Sequence, residues 1–82
     1  MSNPGPRVVD ARGHRCPVPS LRLRKALMDG SGAETLVLLA TDPMARIDVP
    51  FLMAELGGRV LDITEDGDVL RITVGRPAAP TG

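Results

Sequence analysis

Thr35-Leu36-Val37-Leu38-Leu39-Ala40 carries no charge and no breaker, and Thr41-Asp42-Pro43 closes it abruptly. Its apolar residues fall on both side-chain parities. Its length and its polar or breaking flanks fit a strand buried on both faces, which is more typical of parallel pairing than of a sheet edge. The rest of the fold is read outward from this strand.

Upstream, Arg7-Val8-Val9-Asp10 is a short strand candidate that Gly13 interrupts. Pro19 to Met28 are good helix formers, closed by Asp29-Gly30-Ser31-Gly32, with Gly30 as the expected C-cap. Leu23, Ala26 and Leu27 lie at i, i+3 and i+4 and form a core-facing stripe. Leu21 and Met28 fall elsewhere on the helix, where they either complete the core or serve a partner. Downstream, the expected body of a second helix runs from about Val49 to Leu56, with Asp48 as N-cap and Pro50 in the first turn. Leu52 and Leu56 share a face, and Gly57-Gly58 ends the helix. Two strands follow, one with Leu61 and Ile63 alternating, the other with Leu70, Ile72 and Val74. Asp66-Gly67 between them is a hairpin signal, because both residues tolerate positive φ. The order β-α-β-α-β-β predicts an α+β, two-layer α/β sandwich: a mixed four-stranded sheet with two helices on one face.

The chain has 82 residues, which is one domain. The expected division is a disordered tail over 1–6, a folded domain over 7–75 and a disordered Pro/Ala/Gly-rich tail over 76–82. About 70 residues bury only about 60–65% of their unfolded surface. One cysteine makes no internal disulfide, and Phe51 is the only aromatic residue. Leu, Val, Ile and Met packing therefore has to hold the fold. No stretch reaches the length of a membrane span, the N-terminus has no apolar secretion-signal run, and an unpaired thiol suits a reducing compartment. The expected location is the cytoplasm.

The formal net charge is zero, but it is unevenly spread. Arg7, Arg12, Arg15, Arg22, Arg24 and Lys25 stand against Asp10 alone within residues 7–25, a local excess of +5, and the remainder carries −5. A charge run is most often a solvated helix face. Here it surrounds the lone cysteine, Cys16, in Asp10-Ala11-Arg12-Gly13-His14-Arg15-Cys16-Pro17-Val18-Pro19. Cys16 and Val18 each precede a proline and are pushed towards extended backbone. Proline at a helix start costs little, so Cys-Pro-Val-Pro is a stiff lead-in that presents the thiol at or before a helix N-terminus. The helix end and nearby cations favour a thiolate, and a thiolate is the species that attacks sulfur. Pro17 and Pro19 bring no N–H, so stiffness and net field must do more than direct donors.

A lone cysteine is most often a buried, inert thiol. Cys16 lies outside any apolar run, follows Gly-His-Arg and is bracketed by prolines, which weighs against that reading. His14 and Cys16 supply two possible metal ligands where three or four are needed, so no metal or other cofactor is expected. A dithiol motif needs a second thiol that the chain lacks. A cysteine–histidine nucleophile would have His14 as its only base, although a solvated loop residue is the plainer reading of that histidine. Gly13 is expected in a turn with positive φ. Asp10 either caps the Gly13 loop or is a plain strand-end charge.

Asp10-x-x-Gly13-x-x-Cys16-Pro17-x-Pro19, followed by Arg24-Lys25, resembles the TusA-like (SirA) sulfur-carrier family. So does a second block, Asp42-Pro43, Arg46 and Asp48-Val49-Pro50. The resemblance covers about residues 7–75. It implies a fold like the C-terminal domain of translation initiation factor 3. It also implies a small cytoplasmic protein that holds sulfur as a persulfide on Cys16, taken from a cysteine desulfurase or rhodanese-like donor and passed to an acceptor protein. Destinations in the family include tRNA thiolation, molybdenum-cofactor assembly and sulfur oxidation. His14 departs from the family, which is often apolar there. On this reading Cys16 is the working residue, and Pro17, Pro19, Gly13, His14, Arg15 and Asp10 support it. Arg12, Arg22, Arg24, Lys25 and Arg46 meet partners, Arg46 only if both helix starts share one end of the sheet.

Two protein encounters per turnover make the chain a carrier more than an enzyme. A monomer without membrane contact is expected. The alternative is a non-catalytic regulatory or RNA- or protein-binding module, supported by fold analogy and the +5 segment. Near-zero net charge and the lack of surface aromatic residues for base stacking count against direct nucleic-acid binding.

Overall fold

The computed structural model describes residues 7–15, 18–28 and 35–76. The expected N-terminal tail, residues 77–82 of the expected C-terminal tail, the Gly30 cap, Cys16 and Pro17 lie outside them. The elements run β1 (Arg7–Ala11), α1 (Val18–Met28), β2 (Thr35–Ala40), α2 (Ala45–Leu56), β3 (Arg59–Asp66) and β4 (Val69–Gly75). They form the four-stranded mixed sheet and two helices read from the sequence, in the strand order β1-β2-β4-β3. β1 lies parallel to β2, with Val8 opposite Val37 and Ala11 opposite Ala40. β4 lies antiparallel to β2, pairing Leu38 with Ile72, and β3 completes a hairpin with β4.

The apolar run is central because both parities find cover. Leu36, Leu38 and Ala40 are fully buried and join Val9, Ala11, Leu70, Ile72 and Val74 in one core with residues of both helices. On the other face Val37, 4% exposed, lies between Val8 and Thr73 of the flanking strands. From α1 the core takes Leu23, Ala26 and Leu27, and from α2 Ala45, Val49, Leu52 and Met53. Each buried large aliphatic side chain contributes about 1.5–3 kcal/mol of transfer free energy. Phe51 is not among them: it is 71% exposed, so the only aromatic residue of the chain is on the surface, contrary to the expectation of a surface without aromatics. Leu21 and Met28 are likewise exposed.

Three local expectations are corrected. α2 begins at Ala45, before Asp48, and Pro50 lies inside it. The reason is upstream: an Asp42 carboxylate oxygen accepts the Met44 N–H at 2.9 Å, and tight bonds from Ala45 to Asp42 and from Arg46 to Pro43 start the first turn. Met44 is the N-cap and carries no side-chain cap bond; the Asp42 carboxylate instead tightens the turn that leads into the helix. At the hairpin, Asp66 pairs with Val69, so the two-residue turn is Gly67-Asp68. Only Gly67 has positive φ there, +61°. That fits a turn needing glycine at its first central position, not the Asp-Gly type. In β3 a bulge between Val60 and Asp62 throws Leu61 out to 52% exposure, while Val60 and Ile63 pack on the core. An extra residue in one strand breaks the two-residue alternation. Gly57 and Gly58 close α2 as expected: the Gly58 N–H reaches the Met53 carbonyl at 2.9 Å. Arg76, first residue of the expected tail, is half-buried, and its guanidinium donates to the Leu27 carbonyl.

Candidate functional site

Parallel pairing of β1 with β2 brings the loops that follow them to one end of the sheet. The antiparallel β3–β4 turn lies at the same end, because Leu70 pairs with Ala40. The starts of α1 and α2 therefore sit together, and three connections converge there.

The loop after β1 is held by its own backbone. The His14 N–H donates to the Ala11 carbonyl at 3.2 Å, closing a four-residue turn, with Gly13 at its third position and φ of +81°. Positive φ at that position is what a type II turn requires. Asp10 orients the turn from the strand end. One of its carboxylate oxygens accepts the Arg12 backbone N–H at 3.1 Å and the Arg12 Nε at 2.9 Å, and the other accepts an Arg12 Nη2 at 2.8 Å. This two-pronged hydrogen bonding, the side-chain part first, lowers the Asp10 carboxyl from 3.8 to about 2 and raises Arg12. The Gly13 N–H donates to Thr41 Oγ1 at 2.8 Å, across 28 residues of chain. The Val18 N–H donates to the Arg15 carbonyl at 2.9 Å, spanning the two residues that are not described.

Arg12, Gly13, His14 and Arg15 are all exposed. Pro19 is fully buried under the start of α1, so the lead-in is anchored at its helix side while its loop side is open. A cavity of about 370 Å³ lies beside the loop, lined by Gly13, His14, Arg15, Thr41, Asp42 and Pro43. Thr41 and Pro43 also border a second cavity of about 500 Å³, which reaches Arg46 and the β3–β4 turn.

The expected cations divide among several settings. Arg12 is engaged by Asp10. Arg22 reaches the Asp10 carbonyl at 3.5 Å and, with Lys25, overlies the outer edge of β1. Arg24 is exposed on α1, at helical spacing from the exposed Leu21 and Met28. Arg46 does stand at the same end of the sheet, but it pairs with Glu65. The sequence reading did not single out Thr41 or Glu65. Each acts through a residue far away in the chain, and no local pattern announces that. Among the described residues no group of three His, Cys, Asp or Glu side chains is placed to hold a metal ion, and no helix is long and apolar enough to cross a membrane.

A family profile described as sulfurtransferase TusA matches residues 7–76. The chain is 32% identical over 66 residues to the sulfur carrier protein TusA of Pseudomonas paraeruginosa, covering 80% of this chain and 84% of that one. It is 34% identical over 59 residues to the sulfur carrier protein TusA of Allochromatium vinosum, covering 72% of this chain and 78% of that one. Among solved structures, a SirA-like protein of Desulfitobacterium hafniense shares the fold with a TM-score of 0.74. It is 23% identical, over 87% of this chain and 97% of that one.

Proposed function

The chain belongs to the TusA sulfurtransferase family, and from that premise we propose that it carries sulfane sulfur as a persulfide on Cys16, accepting it from a cysteine desulfurase or rhodanese-like donor and relaying it to an acceptor protein. The observation that carries this reading is the open, backbone-tied loop of Arg12 to Arg15, which leads directly into the only cysteine of the sequence. A thiol that must meet two large partners in turn needs a presenting loop and not a deep pocket.

In the loading step the Cys16 thiolate attacks the outer sulfur of the donor persulfide. The donor S–S bond breaks, the donor cysteine departs as a thiolate, and Cys16–S–SH forms, with no net oxidation or reduction. In the second step an acceptor thiolate attacks that outer sulfur and Cys16 is released as a thiolate. Exposed Arg15 keeps positive charge on the loop that leads to Cys16, and exposed Arg24 adds charge on α1. Such charge steers an acidic partner surface and acts mainly on the association rate. The reading places the carrier in the cytoplasm, with tRNA thiolation, molybdenum-cofactor assembly and sulfur oxidation as candidate destinations.

The test is incubation with a cysteine desulfurase and cysteine, followed by intact mass measurement without reductant. The carrier gains the mass of one or more sulfur atoms, loses it to reductant, and gains none as Cys16→Ser. An unmodified wild type across several desulfurase and rhodanese donors overturns the reading. RNA binding that survives Cys16→Ser and weakens with salt would favour the binding-module alternative.

A further inference from the structure

We propose that Thr41 is a positioning residue for sulfur transfer, holding the cysteine loop in register with the start of α2; this rests on the carrier reading of Cys16. The last rung of the β1–β2 ladder is Ala11 opposite Ala40. The ladder ends there. Thr41 is the next residue after that rung, and its side-chain oxygen takes the Gly13 N–H at 2.8 Å. The hydroxyl thus extends the connection between the two chain segments past the end of the ladder, by side chain instead of backbone.

Among the described residues, the other bonds of the turn are local. Arg12 bonds to Asp10, and His14 bonds to Ala11. These fix the shape of the turn but not its placement on the domain. The bond to Thr41 fixes placement, because Thr41 is half-buried and continues into the Asp42–Met44 turn that leads into α2. Thr41 also walls both cavities at this end, so it stands where the cysteine loop meets the region in front of α2 and the β3–β4 turn. A side chain at Gly13 would meet nothing within 4 Å, so packing around Gly13 does not duplicate the hydrogen bond.

Thr41→Val keeps the shape and removes the acceptor; Thr41→Ser keeps the acceptor and removes a methyl group. The chain has one cysteine, so alkylation by iodoacetamide reports that thiol alone. Losing one hydrogen bond of this kind shifts a local equilibrium by about fivefold. Thr41→Val is therefore expected to load sulfur from a desulfurase about fivefold more slowly and to alter the pH profile of alkylation, with Thr41→Ser restoring both. Gly13 amide exchange, measured by NMR, should accelerate in Thr41→Val and not in Thr41→Ser. Thr41→Ala serves as a second acceptor-free variant if Thr41→Val folds poorly.

Wild-type loading and alkylation in the acceptor-free variants, or a Thr41→Ser protein as slow as Thr41→Val, overturns the proposal. If the wild type takes up no sulfur, the carrier reading fails, and the alkylation profiles still decide whether Thr41 positions the loop.

Discussion

Replacing Gly13 with alanine separates backbone geometry from packing at the loop that leads to Cys16. Gly13 has φ of +81°, and a Cβ built there meets no atom within 4 Å. The substitution therefore carries no steric clash, and its whole cost is conformational. A non-glycine L-residue in the left-handed region costs about 1–2 kcal/mol. Alanine also stiffens the unfolded chain, which offsets about 0.4–1 kcal/mol. The net destabilisation is about 1 kcal/mol, which moves the melting temperature of so small a domain down by about 4–8 °C. Gly13→Asn should recover part of the loss, because asparagine tolerates this region better. Gly67→Ala is the control: φ is +61° and the space is again open, but the turn lies between β3 and β4. Urea denaturation and sulfur loading measured on all three variants give a clear pattern. Gly13→Ala and Gly67→Ala lose similar stability, and only Gly13→Ala loads sulfur more slowly. A Gly13→Ala protein as stable as the wild type, or one that Gly13→Asn fails to improve, would show that the turn has another conformation in solution.

The Asp10 carboxyl is lowered from 3.8 to about 2 by its Arg12 hydrogen bonds, so its stabilising contribution is complete above the unfolded value and is lost as pH falls through about 2. Asp10→Asn should flatten that part of an acid titration followed by circular dichroism, and parallel curves for the two proteins would sink the assignment. Ile72 is fully buried at the centre of the core, and Ile72→Ala should cost about 2–5 kcal/mol in urea unfolding. Phe51→Ala, at an exposed site, should stay within about 0.5 kcal/mol; reversal of that ranking would contradict the orientation of α2. Among the described residues the Ser20 Oγ is buried and meets no hydrogen-bond partner, so Ser20→Ala should be neutral or stabilising by about 1 kcal/mol, and a loss of stability would reveal a partner.

The strand and helix order was legible because each element carried its own period. The β2 run, the Leu23-Ala26-Leu27 stripe and the Leu70-Ile72-Val74 alternation each bury the residues expected. Errors arose where one residue shifts a pattern. The bulge at Leu61 moved the core positions of β3 to Val60 and Ile63, and no propensity marks a bulge without a glycine. The start of α2 was misplaced because Asp42-Pro43 and Asp48-Val49-Pro50 are both plausible helix starts; hydrogen bonding of Met44 to Asp42 selects the first. At the site, the positive φ of Gly13 was readable because the turn that needs it is local, whereas Asp10 was open between a loop cap and a plain strand-end charge. Thr41 and Glu65 were not readable, because a bond across 28 residues or 19 residues leaves no trace in spacing.

The described backbone donors on either side of Cys16 are mostly committed to the loop itself. The N–H groups of Arg12, Gly13 and His14 are committed to Asp10, Thr41 and Ala11, and that of Val18 to Arg15. Pro17 and Pro19 have none to give. These described donors hold the loop, and Arg12, close to Cys16 in sequence, is engaged by Asp10. On the proposed carrier reading, exposed side chains such as Arg15 contribute to stabilising an anionic sulfur, with a field that salt screens over about 8–10 Å. Moderate stabilisation suits a relay. Nucleophilicity falls as the thiol pKa falls, while a lower pKa makes a better leaving group. On the proposed carrier reading Cys16 attacks in the first step and leaves in the second, so a field strong enough to perfect its leaving would slow its attack.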